Sequence, residues 1–214
     1  MLELNQLEQL LGYEFKDKDL LKTAITHSSY SHVHGGKNYQ RLEFLGDSIV
    51  DFLVAEELGR RFADADEGKL TKMRVAVVSA PPLSKIVKEK GYDKYIYIGS
   101  VNIGEKIRSD IFESICAAIY LDGGLERARK FVVTSLEQLI STAEENCKND
   151  YKTALYEKYC GRNIQFKEVA KTGKEHCPIF EVELYIDDTL VARERGESKK
   201  AAQQACAKTA LSAL

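Results

Sequence analysis

Tryptophan is absent from the sequence, proline occurs only three times, and no run of 18 or more apolar residues is present. The scarcity of proline excludes a Pro-rich linker protein, and 14 glycines without a repeat exclude a collagen-like chain. The lack of a long apolar run excludes a membrane-spanning helix. Five cysteines (Cys116, Cys147, Cys160, Cys177, Cys206) are odd in number and scattered, and no C-x-x-C spacing occurs. That argues against a disulfide framework and a zinc knuckle, and the expected compartment is reducing, hence cytoplasmic. Neither G-x-x-x-x-G-K-[ST] nor a strand-linked G-x-G-x-x-G is found, so no nucleotide cofactor is indicated. The opening MLELNQLEQLLGYEFKD lacks a basic segment followed by an unbroken apolar one, and reads as a helix, not a signal peptide.

What is present is an ordinary globular balance, 44% hydrophobic and 30% charged, over a length more natural for two domains than for one. Charge divides the chain. Residues 1–150 hold 20 Lys+Arg against 24 Asp+Glu, a net of −4, and residues 151–214 hold 11 against 9, a net of +2. Neither part is basic enough to announce nucleic acid by charge alone, so contact with a phosphate backbone requires a local patch.

The pattern changes near residue 150. Before it the signals are helical: Leu2, Leu7, Leu10 and Leu11, then Leu20, Leu21, Ala24 and Ile25. A long helix is expected over 40–62, with Leu42, Leu45, Ile49, Phe52 and Leu53 on its apolar face. Another is expected over 69–80, stopped by Pro81-Pro82, and a short one over 83–90 before Gly91. Residues 107–121, apolar on nearly every side, form a helix closed by Gly123-Gly124, and 125–143 form the last. YDKYIYIG (92–99) is ambiguous, a short extended segment being one reading of it. The polar stretch EENCKND (144–150) reads as a linker. After it come a helix (151–160), strands at 164–171, 178–186 and 189–195, a turn at Asp187-Asp188, and an Ala-rich helix over 198–213. The second strand alternates cleanly, with Phe180, Val182, Leu184 and Ile186 on one face. On the last helix Ala202, Ala205, Cys206, Thr209 and Ala213 are the expected packing face. The expected fold is therefore an all-α domain (1–145) followed by a small α+β domain of α-β-β-β-α order (150–214).

Two of the apolar helices each carry an acidic pair. Glu43 and Asp47 are four apart, with Gln40 one turn earlier on the same stripe, and Asp110 and Glu113 are three apart. On a solvated face such pairs are ordinary, costing about 0.2–0.5 kcal/mol. The helix 107–121 has little polar surface, however, and a helix apolar all round is buried. At an effective dielectric near 20, two unit charges about 5 Å apart repel by about 3 kcal/mol. Four carboxylates meeting in a half-buried site call for a cation, and hard oxygen donors suit Mg²⁺ or Mn²⁺. Glu43, Asp47, Asp110 and Glu113 are the candidate metal ligands. His27, His32 and His34 match no common zinc spacing and have no cysteine near them in sequence.

At these residues the sequence resembles a known family. YQRLEFLGDS (39–48) resembles the signature of the ribonuclease III family, and IRSDIFESICAAIYLDGG (107–124) its second acidic motif; ITHSSY (25–30) and DEGKLTKMR (66–74) fall in the expected order. The C-terminal part, ending in GESKKAAQQACAKTALSAL, resembles a double-stranded-RNA-binding domain. The resemblance implies an all-helical endonuclease acting as a homodimer. It implies metal-assisted hydrolysis of double-stranded RNA to short duplexes with 5′-phosphate and 3′-hydroxyl ends, in the processing of ribosomal, messenger and transfer RNA precursors. The family's catalytic carboxylates fall on Glu43, Asp47, Asp110 and Glu113. Glu67 matches a further acidic position near the cleavage site; by its residue context alone it is a surface residue of a polar loop. Gln40 departs from the Glu common in bacterial members. An amide donates and accepts hydrogen bonds but holds no metal by charge, so Gln40 is at most a helper of substrate or water position. Phe44 is placed at the dimer seam by the resemblance, and in the core by its apolar character.

In the C-terminal domain, Ser198 suits an N-cap, and Lys199 and Lys200 open the last helix against its dipole. That placement makes sense when the partner is an anion met by the same N–H groups. The resemblance adds His176, in the Thr172–His176 turn, and Thr153, Tyr156 and Glu157, on the first helix, as minor-groove contacts. Such modules read A-form shape over about 16 bp. The reading that follows is a Mg²⁺-dependent endoribonuclease specific for double strands. The alternative is a double-stranded-RNA-binding dimer with weak or absent cleavage, favoured only by Gln40.

Overall fold

The computed structural model describes residues 2–148, 150–174 and 177–212. It separates into two compact units, residues 1–144 and 145–214.

The first unit is helical. Its elements are α1 (Leu2–Leu11), α2 (Lys18–Ala24), α3 (Ser28–His34), α4 (Gln40–Arg61), α5 (Glu67–Val78), α6 (Ala80–Glu89), a 3-10 turn (Tyr92–Tyr95), α7 (Glu105–Gly123) and α8 (Leu125–Lys148). Local chemistry sets their ends. Asp17 caps α2 by accepting from the Asp19 and Leu20 N–H groups, and Asp66 caps α5 through the Lys69 N–H. Gly124 ends α7 at φ +83°, a left-handed position that a side chain would strain. The corner between α1 and α2 is tied to the far end of α7, where Asp122 accepts from Tyr13 Oη (2.7 Å) and the Lys16 and Asp17 N–H groups.

The core is organised around α7. Ile111, Phe112, Ile115, Cys116, Ala117, Ala118 and Ile119 have no exposed surface, so this helix is buried on nearly all sides, as its composition demands. It packs against α2, α4 and α6. The approach to α4 is closest at Gly46, where a Cβ would overlap the Glu113 carbonyl group.

Several expectations are corrected. Pro81-Pro82 do not end a helix in a loop; α5 stops at Val78 and the prolines stand in the first turn of α6, where their missing N–H groups cost nothing. The stretch 92–99 contains a 3-10 turn, after which Tyr97 makes a lone parallel bridge to Thr26. The short α3 lacks an apolar repeat long enough to be visible in the sequence. The expected linker 144–150 is helical through Lys148, since Ala143, Glu144 and Glu145 are good helix formers and no breaker intervenes. Phe52, expected in the core, is half exposed, and Phe44 is 81% exposed, which removes its core reading.

The second unit contains α9 (Tyr151–Lys158), β1 (Ile164–Lys174), β2 (Cys177–Ile186), β3 (Thr189–Gly196) and α10 (Lys199–Ser212). The sheet is antiparallel in the order β1-β2-β3, with Phe166 opposite Leu184 and Leu184 opposite Ala192. Asp187 and Asp188 both take positive φ in the β2–β3 turn, the geometry that matches strand twist. The core joins Leu155 of α9, Val182, Leu184 and Ile186 of β2, Ala192 of β3 and Ala202, Cys206, Ala207 and Ala210 of α10. The buried stripe of α10 is thus rotated from the expected one. Thr209 is exposed and donates to Glu194 at 2.8 Å, and Ala213 lies outside the described residues.

Candidate active site

The acidic helices meet. Carboxylate oxygens of Glu43 on α4 and of Asp110 and Glu113 on α7 lie within 4.8 Å of one another, the only such group of potential metal ligands among the described residues. Asp47 is exposed one turn further along α4 and is not part of this trio, although its charge acts on both Glu43 and Glu113. Gln40 is exposed and faces a cleft of about 920 Å³ that Lys22, Lys37 and Arg41 also line. Glu67 is exposed at the start of α5, where it accepts from Thr71 Oγ1 at 3.2 Å.

Burial and crowding show in the electrostatics. Burial, then the negative charges of Asp47 and Asp110, push the Glu113 carboxyl up to about 7, against a hydrogen bond from Ser109. Burial and the Asp110 charge also raise Glu43, against the opposing Lys106. Asp110 is 6% exposed. Its Oδ2 accepts from Tyr39 Oη at 3.1 Å and its Oδ1 from Lys106 Nζ at 3.0 Å. The same ammonium is 3.5 Å from Glu43 Oε1. Two of the crowded carboxylates thus share the nearest ammonium, which bridges them from the exposed side. The donor set is all hard oxygen, it carries excess negative charge, and it fits a divalent cation of the Mg²⁺ type.

The sequence reading missed three participants. Lys106 had a usable signal, its i,i+4 spacing to Asp110. Tyr39 and Gly46 lie within the motif YQRLEFLGDS, but no local spacing pointed to their partners, which are 71 and 67 positions away. His27 has a local role: its Nδ1 accepts the Ser29 N–H and caps α3.

In the second unit Ser198 Oγ accepts from the Ala201 N–H at 3.1 Å and so caps α10. Lys199 and Lys200 are exposed, and Lys199 Nζ lies 3.1 Å from Glu168 Oε2. Gly196 allows the end of β3 to close on α10, since a Cβ there would press on the Ala201–Ala202 backbone. Tyr156 and Glu157 are exposed on α9, whereas the Thr153 hydroxyl is bonded to Asp150 Oδ2 at 2.7 Å. His176 lies outside the described residues.

Comparison with known proteins bears on this geometry. A family model described as Ribonuclease-III-like matches residues 17–139, and one described as Double-stranded RNA binding motif matches residues 151–214. The chain belongs to the ribonuclease III family. Ribonuclease 3 of Nitratiruptor sp. is 37% identical over the whole of this chain and 98% of its own length. That of Helicobacter pylori strain G27 is 38% identical over 97% of this chain and 90% of the relative. Among solved structures, the nuclease domain of ribonuclease III from Campylobacter jejuni matches with a TM-score of 0.58 and 38% identity, covering 62% of this chain and 94% of that one. That structure is described as flexible in a region involved in dimer formation. Dicer from Pichia stipitis matches at a TM-score of 0.51 and 26% identity over 92% of this chain and 94% of that one. As a ribonuclease III, the chain is an endoribonuclease hydrolase acting on double-stranded RNA, with a helical nuclease domain and an α-β-β-β-α RNA-binding domain. None of its described helices is long and apolar enough to cross a membrane.

Proposed function

We propose that this ribonuclease III cuts both strands of duplex RNA as a Mg²⁺-dependent homodimer, with Mn²⁺ able to substitute, and that Glu43, Asp110 and Glu113 are its principal metal ligands. The observation that carries this reading is the convergence of those three carboxylates from α4 and α7 within 4.8 Å. A divalent cation held by Glu43, Asp110 and Glu113 would supply Lewis-acid polarisation of the scissile phosphodiester and would lower the pKa of water. Asp47 and Glu113 orient the attacking water by accepting its hydrogens. Attack on phosphorus with the 3′-oxygen leaving yields 5′-phosphate and 3′-hydroxyl ends. Gln40 and Glu67 are auxiliary at the cleavage site. Gln40 offers an amide to the substrate or to water.

The nuclease domain is assigned to residues 1–145 and the RNA-binding domain to 150–214, in keeping with the compact units and with the family matches. In the latter, Ser198, Lys199 and Lys200 meet phosphate at the start of α10, while Thr153, Tyr156, Glu157 and His176 meet minor grooves. Phe44, an 81%-exposed aromatic ring beside Glu43, is assigned to the dimer seam. The buried free thiols Cys116 and Cys206 suit a reducing, cytoplasmic setting.

The test is incubation of the protein with long duplex RNA, with and without Mg²⁺, beside a Glu113→Gln variant. Short duplexes are expected only from the wild-type protein with metal, and the variant is expected to retain RNA binding. Cleavage by Glu113→Gln at the wild-type rate would overturn the ligand assignment.

A further inference from the structure

The hydroxyl of Tyr39 crosses from the start of α4 to the most buried carboxylate of the acidic cluster, donating to Asp110 Oδ2 at 3.1 Å. We propose that Tyr39 is a positioning residue for Asp110. By occupying Oδ2 it locks the carboxylate in one orientation, with Oδ1 left to Lys106, and so sets how tightly a divalent cation is held. This inference rests on the reading of Glu43, Asp110 and Glu113 as metal ligands.

Three observations support it. First, the hydroxyl is delivered from a fixed frame. Tyr39 is 4% exposed, its N–H donates to the Thr26 carbonyl at 2.9 Å, and its ring centroid lies 5.6 Å from that of His27. Thr26 is itself bridged to Tyr97. Second, the two oxygens of Asp110 have unlike partners. Oδ2 has the buried phenol, whereas Oδ1 has Lys106, whose side chain is 79% exposed. Lys106 Nζ also reaches Glu43 Oε1, so one ammonium joins Asp110 Oδ1 to Glu43. An exposed lysine on a flexible stem is displaceable by a stronger cation, but the phenol is held by its packing. Third, an Asp carboxylate rotates easily about its terminal bond, since that torsion is broad. A single donor at the rear removes this freedom before the cation arrives, and such outer partners of metal ligands typically govern affinity by about 10–100-fold.

A buried tyrosine also needs an acceptor for purely structural reasons. The test must therefore separate positioning from packing. Tyr39→Phe keeps the ring and removes only the donor. Mn²⁺ binding to the full chain is measured by electron paramagnetic resonance for wild type, Tyr39→Phe and Glu113→Gln, together with the melting temperature of each in EDTA. Tyr39→Phe is expected to bind Mn²⁺ about tenfold more weakly or worse. The Mg²⁺ concentration for half-maximal duplex cleavage should rise in proportion, with the rate largely recovered at saturating Mg²⁺. Wild-type Mn²⁺ affinity in Tyr39→Phe, with a lowered melting temperature or without, would leave Tyr39 a packing residue and overturn the proposal while Glu113→Gln still loses metal. Equal Mn²⁺ binding by Glu113→Gln and wild type would remove the ligand reading, and the positioning role with it.

Discussion

Gly46 of α4 lies directly against the backbone carbonyl of Glu113 on α7, with no room for even a methyl group between them. This close approach lets the two helices bring Glu43 within reach of Asp110 and Glu113. Gly46→Ala must push backbone against backbone, because neither obstructing atom belongs to a flexible side chain. We expect a loss of about 1–3 kcal/mol or more in denaturant unfolding, accompanied by a steep fall in cleavage. A Gly46→Ala protein with wild-type stability and activity would show that the close approach is dispensable.

The Glu113 carboxyl is raised to about 7 by burial and by Asp47 and Asp110. A folded-state pKa above the unfolded one means that the native protein binds this proton more tightly. The resulting stabilisation is complete below the unfolded value and is lost as pH rises through about 7. Metal-free protein should therefore lose stability between about pH 4.5 and 7 through this group, and Glu113→Gln should flatten that part of the profile. Metal binding needs the ionised form, so Mn²⁺ affinity should fall by about tenfold per pH unit below 7. Calorimetric melting in EDTA and Mn²⁺ titrations across about pH 5–8 would check both, and a flat wild-type affinity would contradict the assignment.

Glu57 is buried on α4 and shared by Arg60 and Arg61, and Arg61 also reaches Glu137 of α8 at 2.6 Å. Burial alone would raise the Glu57 carboxyl, but the two guanidinium groups outweigh it and hold the group below its usual range. Its contribution is present above the unfolded carboxylate pKa and is lost as pH falls through the lowered folded value. Arg61→Ala removes one partner of a buried charge and is expected to cost about 1–3 kcal/mol at neutral pH. Urea unfolding at about pH 7 and about pH 4 should show the penalty shrinking at the lower pH; an equal penalty at both would point to weakened packing instead.

Lys199 and Lys200 flank the capped start of α10. Replacing both with alanine should weaken duplex RNA binding while leaving the metal-dependent chemistry intact at saturating RNA. The slope of log affinity against log salt should become shallower by about 1 for each phosphate no longer neutralised. An unchanged slope in a filter-binding series would move the RNA-binding surface elsewhere.

Element types were legible in the sequence because they follow from local chemistry. The alternation Phe180-Val182-Leu184-Ile186 fits a half-buried strand, and the run after Asp110, apolar except at Glu113 and Ser114, fits a buried helix. The acidic pairs were legible for the same reason, since i,i+3 and i,i+4 spacing places two carboxylates on one helix face whatever the rest of the chain does. Short or capped segments were less so: α3 has too few residues for a repeat, and Pro81-Pro82 carry the same signal for a stop and for a start. Which carboxylates lie within 4.8 Å of one another was decided only by folding. Glu43 joined Asp110 and Glu113 while Asp47 stayed one turn outside, because helix packing at Gly46 sets how α4 faces α7. Tyr39 likewise found Asp110 through the fold alone, since a pairing across 71 residues depends on the path of the whole chain and leaves no local pattern to read.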